Sequence, residues 1–429
     1  MSQPTAWQPP DGFIPVDTQL KGISVFAPRP AVVEKAAVAT YKCPNCGATT
    51  QYDVSAGGVA CEHCGFSKPA EAKRVGRAAD EFEFIVETVA AAEHGWGVVL
   101  QELHCDQCGA SLAIPEGALT VTCPFCASNR VNIRQAPADI LRPRFLIPFK
   151  IQPADLRAKA GTWLQQGWFH PAELSASAVL SHFTGIYLPF WTFDCAIQAQ
   201  WKAQVGYERT ERYYDHSSKD WKTRTRIDWR WEDGQVGLHT DDLLVVGTTH
   251  LSKLILERVS QFNLSELVSY SPDFLAGWQA QAYNIPLADA WEDGKETLRE
   301  RAKDACYKDI PTSHVRNFSM AADFQDETWR FVLLPIYLSA YRFQEKVYQV
   351  MVNGQTGIIA GQKPVAWWKI WLAIAALLSP GVLLGMVGMV MLIFGGIGVI
   401  PLILGAVLLA IGGGLSLMIY HQAVQSEAA

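Results

Sequence analysis

Charged residues are scarce in this sequence. They make up 18% of its 429 residues, against 49% hydrophobic residues, and the mean hydropathy is slightly positive at +0.06. This balance argues against a disordered chain and against a wholly soluble one. The formal net charge is −6, so long-range electrostatics disfavour nucleic acid as a partner. At about 150 residues per domain, the length predicts two to four units.

Several motifs of common catalytic sites are also absent. The sequence contains no G-x-x-x-x-G-K-[ST] phosphate loop, no G-x-S-x-G nucleophile elbow and no H-E-x-x-H zinc-protease pair. We therefore predict that the protein is not an enzyme. Residues 1–12 are polar and rich in proline, without the apolar segment of a secretory signal, so the ten cysteines do not indicate a secreted disulfide scaffold.

Charge is missing altogether from residues 370–420, a run of 51 residues without Asp, Glu, Lys, Arg or His. As one helix this run would be about 77 Å long, far more than the ~30 Å of one hydrocarbon core. Two crossings fit better, and the glycines at 395–398 mark the turn. The sequence predicts a transmembrane hairpin over 366–420, with helices near 367–393 and 397–420 and a short tail at 421–429.

The orientation of this hairpin follows from its flanks. Both ends of a two-helix hairpin emerge on the same side, and Lys363 and Lys369 flank the first helix there, whereas the turn carries no charge. The positive-inside rule predicts a multi-pass membrane protein with both termini and the main domain in the cytosol.

Eight of the ten cysteines form two matched sets. Each set has two C-x-x-C pairs separated by fourteen residues, and the second set repeats the first at an offset of 62 residues, with Gly47 and Gly109 following the first pairs. Such pairs aim four sulfurs at one ion, and a glycine supplies the backbone angle of the turn. The predicted metal ligands are Cys43, Cys46, Cys61, Cys64, Cys105, Cys108, Cys123 and Cys126.

Zinc is the favoured metal for these two sets. Four thiolates leave no position open for water or substrate, so the predicted cofactors are two structural Zn2+ ions. Iron in a rubredoxin-like site, a thioredoxin-like redox role and substitution of a cysteine by His63 or His104 remain alternatives. Thiolates also indicate a reducing compartment, which agrees with the cytosolic orientation. Cys195 and Cys306 stand alone and are predicted to be buried, inert thiols.

The remaining segments complete a multidomain fold class: two rubredoxin-like zinc ribbons, an α+β domain with an antiparallel sheet, and the transmembrane hairpin. The predicted units are an irregular arm at 1–39, ribbon 1 at 40–70, a connecting helix at 71–102, ribbon 2 at 103–135 and the α+β domain at 136–365. Helices are predicted at 153–166, 172–183 and 286–309, and Asn353-Gly354 predicts a hairpin with a type I′ turn.

One strand of the α+β domain alternates between basic and apolar side chains. From Trp221 to Trp231 the even positions carry Lys222, Arg224, Arg226 and Arg230, which alternation places on one face. We regard these four residues as candidates for binding anionic lipid or an acidic partner surface, and a solvated strand face is the default interpretation.

Taken in order, these parts resemble a bacterial family of membrane-anchored double zinc-ribbon proteins, whose members are often labelled primosomal protein N-prime, helicase-like or phage replisome organiser. Besides the paired cysteines, the segments that carry the resemblance are Ile147–Lys150, Trp168–Pro171, Tyr187–Asp194, Val352–Gly357 and Trp367–Ile370. The resemblance implies a non-enzymatic partner of PspA-like and SPFH-domain (flotillin-like) proteins in a membrane-stress module.

The expected function is therefore that of a membrane-anchored adaptor that recruits such proteins to the inner membrane. A membrane-tethered zinc-ribbon protein that binds nucleic acid is the alternative. Residues 40–130 argue against that alternative, since they carry six basic and eleven acidic side chains. Membrane lipid is a further expected partner, and self-association of the chain is left open.

Overall fold

The computed structural model describes most of the chain. The described residues are 13–16, 25–28, 41–70, 73–76, 82–83, 94–96, 100–114, 122–136, 140–171, 183–217, 219–343, 346–395 and 398–428.

Seventeen strands and five helices of at least seven residues occur within this part of the chain. The short strands are β1 (Phe13–Val16), β2 (Val25–Pro28), β3 (Gln51–Asp53), β4 (Gly58–Ala60), β5 (Ser67–Pro69), β6 (Phe82–Glu83), β7 (Gln101–Cys105), β8 (Ser111–Ile114), β9 (Val131–Gln135), β10 (Phe145–Leu146), β13 (Val268–Ser269), β14 (Gln279–Gln281), β16 (Lys346–Asn353) and β17 (Ile359–Gly361). The long strands are β11 (Thr184–Asp215), β12 (Asp220–Val246) and β15 (Val315–Phe343). The helices are α1 (Pro153–Gln165), α2 (Lys253–Val259), α3 (Leu287–Asp309), α4 (Trp367–Gly395) and α5 (Val399–Ala428).

A sheet of twelve strands, β6 to β17, organises the domain. Its central path runs β13-β10-β15-β11-β14-β8-β7-β9, with β12 beside β11 and with β16 and β6 on β15. Most pairings are antiparallel, as predicted, but β10 pairs with β15 and β14 pairs with β11 in parallel. The sheet is therefore mixed, because the short strands β10 and β14 reach it through connections that the local sequence pattern does not specify.

Both faces of the central strands are buried. On one face Trp191 and Phe193 of β11 pack with α3, whose apolar positions include Trp291 and Cys306. On the other face Phe190 packs in a cluster that includes α2 and the second set of cysteines. A strand covered on both sides is apolar at consecutive positions, which explains the unbroken apolar run of residues 185–191.

A buried ion pair sits at an irregularity in this sheet. The register of β11 with β12 shifts between Phe193 and Cys195, and the neighbouring Asp242 has φ of +59°. The guanidinium of Arg330, 1% exposed, donates to Asp194 Oδ2 at 3.3 Å and also contacts Asp242. The two carboxylates thus balance a cation that is removed from water.

Several sequence predictions are confirmed here. Helices α1 and α3 match the predictions at 153–166 and 286–309 within one residue. Cys195 and Cys306 are buried thiols, and burial raises the pKa of both. The helix predicted at 172–183 lies almost entirely outside the described residues.

Other predictions are wrong at the described positions. The connecting helix predicted over 71–102 is not helical at Phe82–Glu83, which pairs with β15, nor at Gln101, where β7 begins. The tertiary pairing of this segment overrides its helical spacing of apolar residues. The arm at 1–39 is not wholly irregular, because β1 and β2 form an antiparallel hairpin.

The hairpin at Asn353 is present, but its turn differs from the prediction. Val352 pairs with Ile359, so the loop is longer than two residues. The residue with a positive φ is Gly357, at +77°, rather than Gly354. The side chain of Asn353 accepts hydrogen bonds from the amides of Gln355 and Thr356 and thereby stabilises the longer loop.

Two long apolar helices end the chain. Helices α4 and α5 have mean hydropathies of 2.3 and 2.4 over their most apolar windows, of which only 11% and 17% is buried in the protein. Their large side chains are exposed, with Phe394 at 85% and Leu417 at 70%. By length and composition these helices can span a membrane, and their exposure differs from that of a core helix in a soluble protein.

Close backbone contact joins the two helices. A Cβ atom added at Gly405 would lie 2.8 Å from the amide nitrogen of Gly385, and one at Gly412 would lie 2.7 Å from the carbonyl oxygen of Leu377. Gly398, just before α5, and Gly405 and Gly412 within it follow one another at seven-residue intervals, and an added Cβ at each would meet the backbone of α4. We call this set the glycine seam.

Candidate metal centres

The eight predicted cysteines form two groups of four. In each group the four sulfur atoms lie within 4.8 Å of one another. The Sγ–Sγ distance is 3.4 Å for Cys43–Cys64, 3.6 Å for Cys46–Cys61, and 3.7 Å for both Cys105–Cys126 and Cys108–Cys123. Tetrahedral zinc with Zn–S bonds of about 2.3 Å places its sulfurs about 3.8 Å apart. Both groups therefore fit a zinc ion with four thiolate ligands.

Each of the four C-x-x-C turns has the same backbone design. The carbonyl of the first cysteine accepts a hydrogen bond from the amide of the residue that follows the second cysteine, at 2.8–3.0 Å in the bonds of Gly47, Gly65, Gly109 and Ala127. All four of these residues have a positive φ, between 55° and 75°. The prediction for Gly47 and Gly109 is confirmed. Gly65 and Ala127 were missed, although the equivalent position after each pair was readable from the sequence.

Backbone amides favour the thiolate at Cys43 and Cys105. Burial disfavours the charged form of Cys43, but the amides of Cys46 and Asn45 donate toward its sulfur and lower its pKa to about 7. The same opposition operates at Cys105, where the amides of Cys108 and Gln107 outweigh burial and lower the pKa. At Cys108 and Cys123 burial outweighs the amides and raises the pKa. The backbone therefore favours the thiolate form that a metal requires at the first cysteine of each group.

The two groups differ in their surroundings. The first, which we call cluster 1 (Cys43, Cys46, Cys61 and Cys64), is carried with the separate three-stranded sheet β3-β4-β5. Cys46 and Cys64 are exposed to solvent. A ring contact of 5.2 Å between Tyr52 and Phe274 and a hydrogen bond from the Tyr52 amide to the Ala276 carbonyl connect this sheet to the rest of the domain.

Cluster 2 (Cys105, Cys108, Cys123 and Cys126) is part of the large sheet. Strand β8 pairs with β14 through Ala113 and Ala280, and Phe125, between the last two cysteines, is 1% exposed. Gln349 donates to the Phe125 carbonyl at 2.7 Å. Cluster 2 therefore shares the core of the α+β domain, and the boundary predicted between residues 135 and 136 does not separate two structural units.

No histidine among the described residues joins either group of sulfurs. The Nδ1 atom of His104 lies 3.0 Å from the Ser111 hydroxyl, and both clusters consist of cysteine alone. A third group of candidate ligands consists of Asp194, Asp241 and Asp242. The buried guanidinium of Arg330 pairs with Asp194 and Asp242 and provides the positive charge that a metal ion would otherwise bring.

The four basic candidates of β12 share one face, as alternation predicts, but the neighbouring strand supplies acids to that face. Glu211 of β11 pairs with Arg224 at 3.0 Å, and Lys222 pairs with Asp215. Arg224 also lies over the Tyr213 ring, and Arg230 lies over the Tyr207 ring. Pairing lowers the charge that these residues present to a ligand, which favours the default interpretation of a solvated strand face.

Strands β11 and β12 continue beyond the end of β15. The last pair of β11 with β15 is Val205–Val315, whereas β11 and β12 remain paired to Asp215–Asp220. We call residues 206–230 the two-stranded arm. Among the described residues, β12 pairs only with β11. Alternating Lys and Arg on such an open edge also discourage pairing with other chains.

The lysines beside the apolar hairpin are tied to the domain. Lys363, 8% exposed, donates to the carbonyls of Trp163 and Gln166 at the end of α1 and lies 4.1 Å from the Trp163 ring. Burial lowers its pKa to about 8. Lys369 donates to the carbonyls of Trp168 and His170. Both lysines therefore satisfy backbone acceptors around the end of a helix in addition to carrying charge.

Comparison with known proteins gives a distant relative. The sequence is similar to YdjG of Bacillus subtilis (strain 168), a protein described as uncharacterized: the two are 23% identical over 347 residues, or 78% of this chain and 92% of YdjG. No family model matches the sequence, and no solved structure matches it.

Proposed function

We propose that this protein is a non-enzymatic, membrane-anchored adaptor in which two structural zinc sites shape a protein-docking domain. The observation that carries the proposal is the attachment of the cysteine-bearing domain to both ends of the apolar hairpin. At one end Lys363 and Lys369 bind the α1 end of the domain. At the other end the Lys363 amide donates to the Ser426 carbonyl at 2.9 Å, and Lys346 pairs with Glu427 at 3.0 Å.

Such attachment suits recruitment. A hairpin in the bilayer confines the domain to the membrane surface, and a soluble partner that binds the domain gains effective concentration there. Because four thiolates close each metal site, neither ion has a position for substrate. The zinc-ribbon fold and a structural role for the metal are therefore the interpretation that the donor sets support best.

We place the domain in the cytosol. Ten free cysteines are consistent with a reducing compartment. The ends of α4 and α5 that contact the domain lie together, since the Trp367 and Tyr420 rings are 5.7 Å apart. The positive-inside argument gives this orientation less support than the cysteines do, because Lys363 is buried and bonded to the end of α1.

Cluster 1 is the proposed docking region. Its sheet stands apart from the large sheet, and its second and fourth cysteines are exposed together with neighbouring turn residues. Following the resemblance in the sequence, we propose SPFH-domain or PspA-like proteins as partners in a membrane-stress response.

Affinity purification tests this proposal. The tagged full chain is extracted from its host in mild detergent, and co-eluting proteins are identified by mass spectrometry together with the ratio of absorbance at 260 and 280 nm. We expect an SPFH-domain or PspA-like protein to co-elute with the wild type and to be lost with Cys43→Ser. Lys303→Gln, a 43% exposed side chain on α3, is the control and retains the partner.

Two results would overturn the adaptor. Recovery of nucleic acid without these proteins would favour the tethered nucleic-acid binder. Release of the wild-type chain from membranes by alkaline carbonate would remove the anchor on which recruitment depends.

A further inference from the structure

A cavity lies where the apolar hairpin meets the domain. Its volume is about 270 Å³, and it opens between β16 and the domain-side ends of α4 and α5. Its lining includes Lys346, Tyr348, Gln362, Trp367, Val424 and Glu427. Both charged and apolar side chains therefore face the same small space.

Opposite charges are held close together in this cavity. Lys346 Nζ lies 3.0 Å from one carboxylate oxygen of Glu427, and Trp367 Nε1 donates to the other at 3.2 Å. The Lys346 side chain is 70% exposed and that of Glu427 is 22% exposed, so a ligand can reach both. A simple anion would be attracted by Lys346 but repelled by Glu427. A zwitterion with adjacent positive and negative groups matches both charges.

The depth of the cavity matches the headgroup layer of a bilayer. Trp367 and Tyr420 contact each other at the end of the apolar part of the hairpin, where amphipathic aromatic side chains mark the membrane interface. Trp367 also donates to Glu427, so this carboxylate lies within hydrogen-bond reach of the aromatic pair. The polar layer of a bilayer is roughly 5–8 Å thick on each side of the core. The Lys346–Glu427 pair therefore stands level with phospholipid headgroups if the hairpin spans the membrane.

We propose that this cavity binds the headgroup of an ethanolamine phospholipid in the leaflet on the domain side. Lys346 binds the phosphate, and Glu427 accepts hydrogen bonds from the primary ammonium group. Trp367 and Val424 contact the apolar part of the lipid. The inference rests on the membrane insertion in the proposed function and adds one lipid class and one site to it.

The ammonium group is the specific element of this recognition. A primary ammonium offers three N–H donors to Glu427, whereas the trimethylated group of a choline lipid offers none. A glycerol headgroup has phosphate without a cation, so it leaves Glu427 beside a second negative charge. The expected order of retention is ethanolamine, then choline, then glycerol lipids.

The full chain in mixed-lipid nanodiscs tests the site. Nanodiscs contain equal amounts of phosphatidylethanolamine, phosphatidylcholine and phosphatidylglycerol, and native mass spectrometry counts the lipids that remain bound after release. We expect ethanolamine lipid to be enriched on the wild type and its enrichment to fall about tenfold in Glu427→Gln and in Lys346→Gln. Lys303→Gln, which alters an exposed pair of the same 3.0 Å length with Glu300 on α3, keeps the enrichment.

Two further measurements distinguish recognition of the headgroup from other causes of lipid retention, and failure of this site from failure of the membrane anchor. Soluble phosphoethanolamine that displaces the lipid identifies the headgroup as the recognised part, and no displacement at saturating concentration contradicts headgroup recognition. Equal retention of all three lipids, or enrichment unchanged in both variants with wild-type melting temperatures, overturns the site while leaving the anchor intact. Extraction of the wild type from membranes by carbonate overturns the anchor and this inference together.

Discussion

At the scale of single residues, the four C-x-x-C turns contain one exception to a shared rule. Three of them place glycine in the left-handed region, but the turn of Cys123 and Cys126 places Ala127 there, with φ of +55°. An L-residue with a side chain pays about 1–2 kcal/mol for this conformation. The turn hydrogen bond from the Ala127 amide to the Cys123 carbonyl, 2.8 Å long, holds it in place.

Replacing Ala127 with glycine should therefore stabilise the protein. We expect Ala127→Gly to raise the free energy of unfolding by about 1 kcal/mol, because relief of the left-handed strain exceeds the entropy of an added glycine. The measurement is denaturant unfolding at saturating zinc. The converse variant, Gly65→Ala, has open space for its Cβ and should be destabilised by a similar amount through backbone strain alone. Stabilisation of both variants, or of neither, would contradict this account.

A second prediction at this scale concerns His170. Its Nδ1 atom donates to the Pro364 carbonyl at 2.9 Å, where the domain meets the hairpin. Burial, followed by the nearby charges of Lys363 and Lys369, lowers the pKa of His170 below its usual 6.5, although the bond to Pro364 acts in the opposite direction. In this range the unfolded chain binds more protons than the folded chain, so stability falls as the pH drops through 6.5.

Acid should consequently loosen this junction. We expect amide hydrogen exchange in residues 163–171, corrected for intrinsic rates, to accelerate between pH 7.5 and 5.5 in the wild type. His170→Gln retains a hydrogen-bonding side chain without the titrating ring, so its corrected exchange should not change over the same range. An identical pH response in wild type and variant would assign the effect to another group.

At the scale of secondary-structure elements, the glycine seam explains how α4 and α5 pack. In the structure Gly381 and Gly388 of α4 face α5, where added Cβ atoms would lie within 3.0 Å of the Gly405 and Gly398 carbonyl oxygens. The contact is thus within one chain, and close backbone packing of this kind can join helices in a lipid environment, where the hydrophobic effect does not act between them.

A larger residue in the seam should separate the helices. We expect Gly405→Leu to lower the melting temperature of the full chain in mild detergent, because overpacking of this kind costs about 1–3 kcal/mol. Gly413→Leu is the matched control in the same helix, where an added Cβ meets nothing within 4 Å. Equal melting temperatures for the two variants would show that the seam does not hold the hairpin together.

The two-stranded arm shows where reasoning from one strand fails. Alternation in β12 correctly placed Lys222, Arg224, Arg226 and Arg230 on one face. The acids that pair with two of them belong to β11, and the register that brings Glu211 opposite Arg224 is set by the tight connection at 215–220 and by the length of both strands. Counting the charges of β12 alone therefore overestimated the positive electrostatic potential of this face.

The two-stranded arm also lies far from the apolar hairpin when the distance is counted along the strands. The first residues of β11 pair with the part of β15 nearest Lys346, whose side chain contacts Glu427. The tip lies about 30 residues further along β11, roughly 100 Å of strand at ~3.3 Å per residue. This length of strand argues against contact between the four basic residues and lipid near the hairpin ends, and it agrees with the default interpretation of a solvated strand face.

At the scale of the whole molecule, the sequence predicted features that depend on covalent spacing better than features that depend on distant pairing. Two intervening residues suffice to bring the sulfurs of Cys43 and Cys46 to one point, and a charge-free run suffices to indicate the apolar hairpin. The merger of cluster 2 with the domain requires Ala113 of β8 to pair with Ala280 of β14, which no local pattern contains. The burial of Lys363 at the end of α1 likewise depends on a distant contact that no local pattern contains.

This merger means that the two metal sites should contribute unequally to stability. Cys105 and Cys123 are buried in the same core cluster as β15, whereas cluster 1 rests on its own three-stranded sheet. A structural zinc site provides about 10–16 kcal/mol of apparent binding energy, comparable with the total stability of a domain. Loss of the second ion should therefore unfold the α+β domain, and loss of the first should unfold only its own ribbon.

Elemental analysis and thermal unfolding of matched variants test this asymmetry. We expect about two zinc ions per wild-type chain and one in either Cys43→Ser or Cys105→Ser, with the main unfolding transition preserved in the first variant and lost or strongly lowered in the second. His63→Ala, beside cluster 1 but outside the sulfur set, should keep both ions and the transition. A chelator should remove the cluster 1 ion first, because Cys46 and Cys64 are exposed while Cys108 and Cys126 are half-buried. Iron, a single ion in the wild type, or equal destabilisation by both serine variants would contradict the assignment of two structurally different zinc sites.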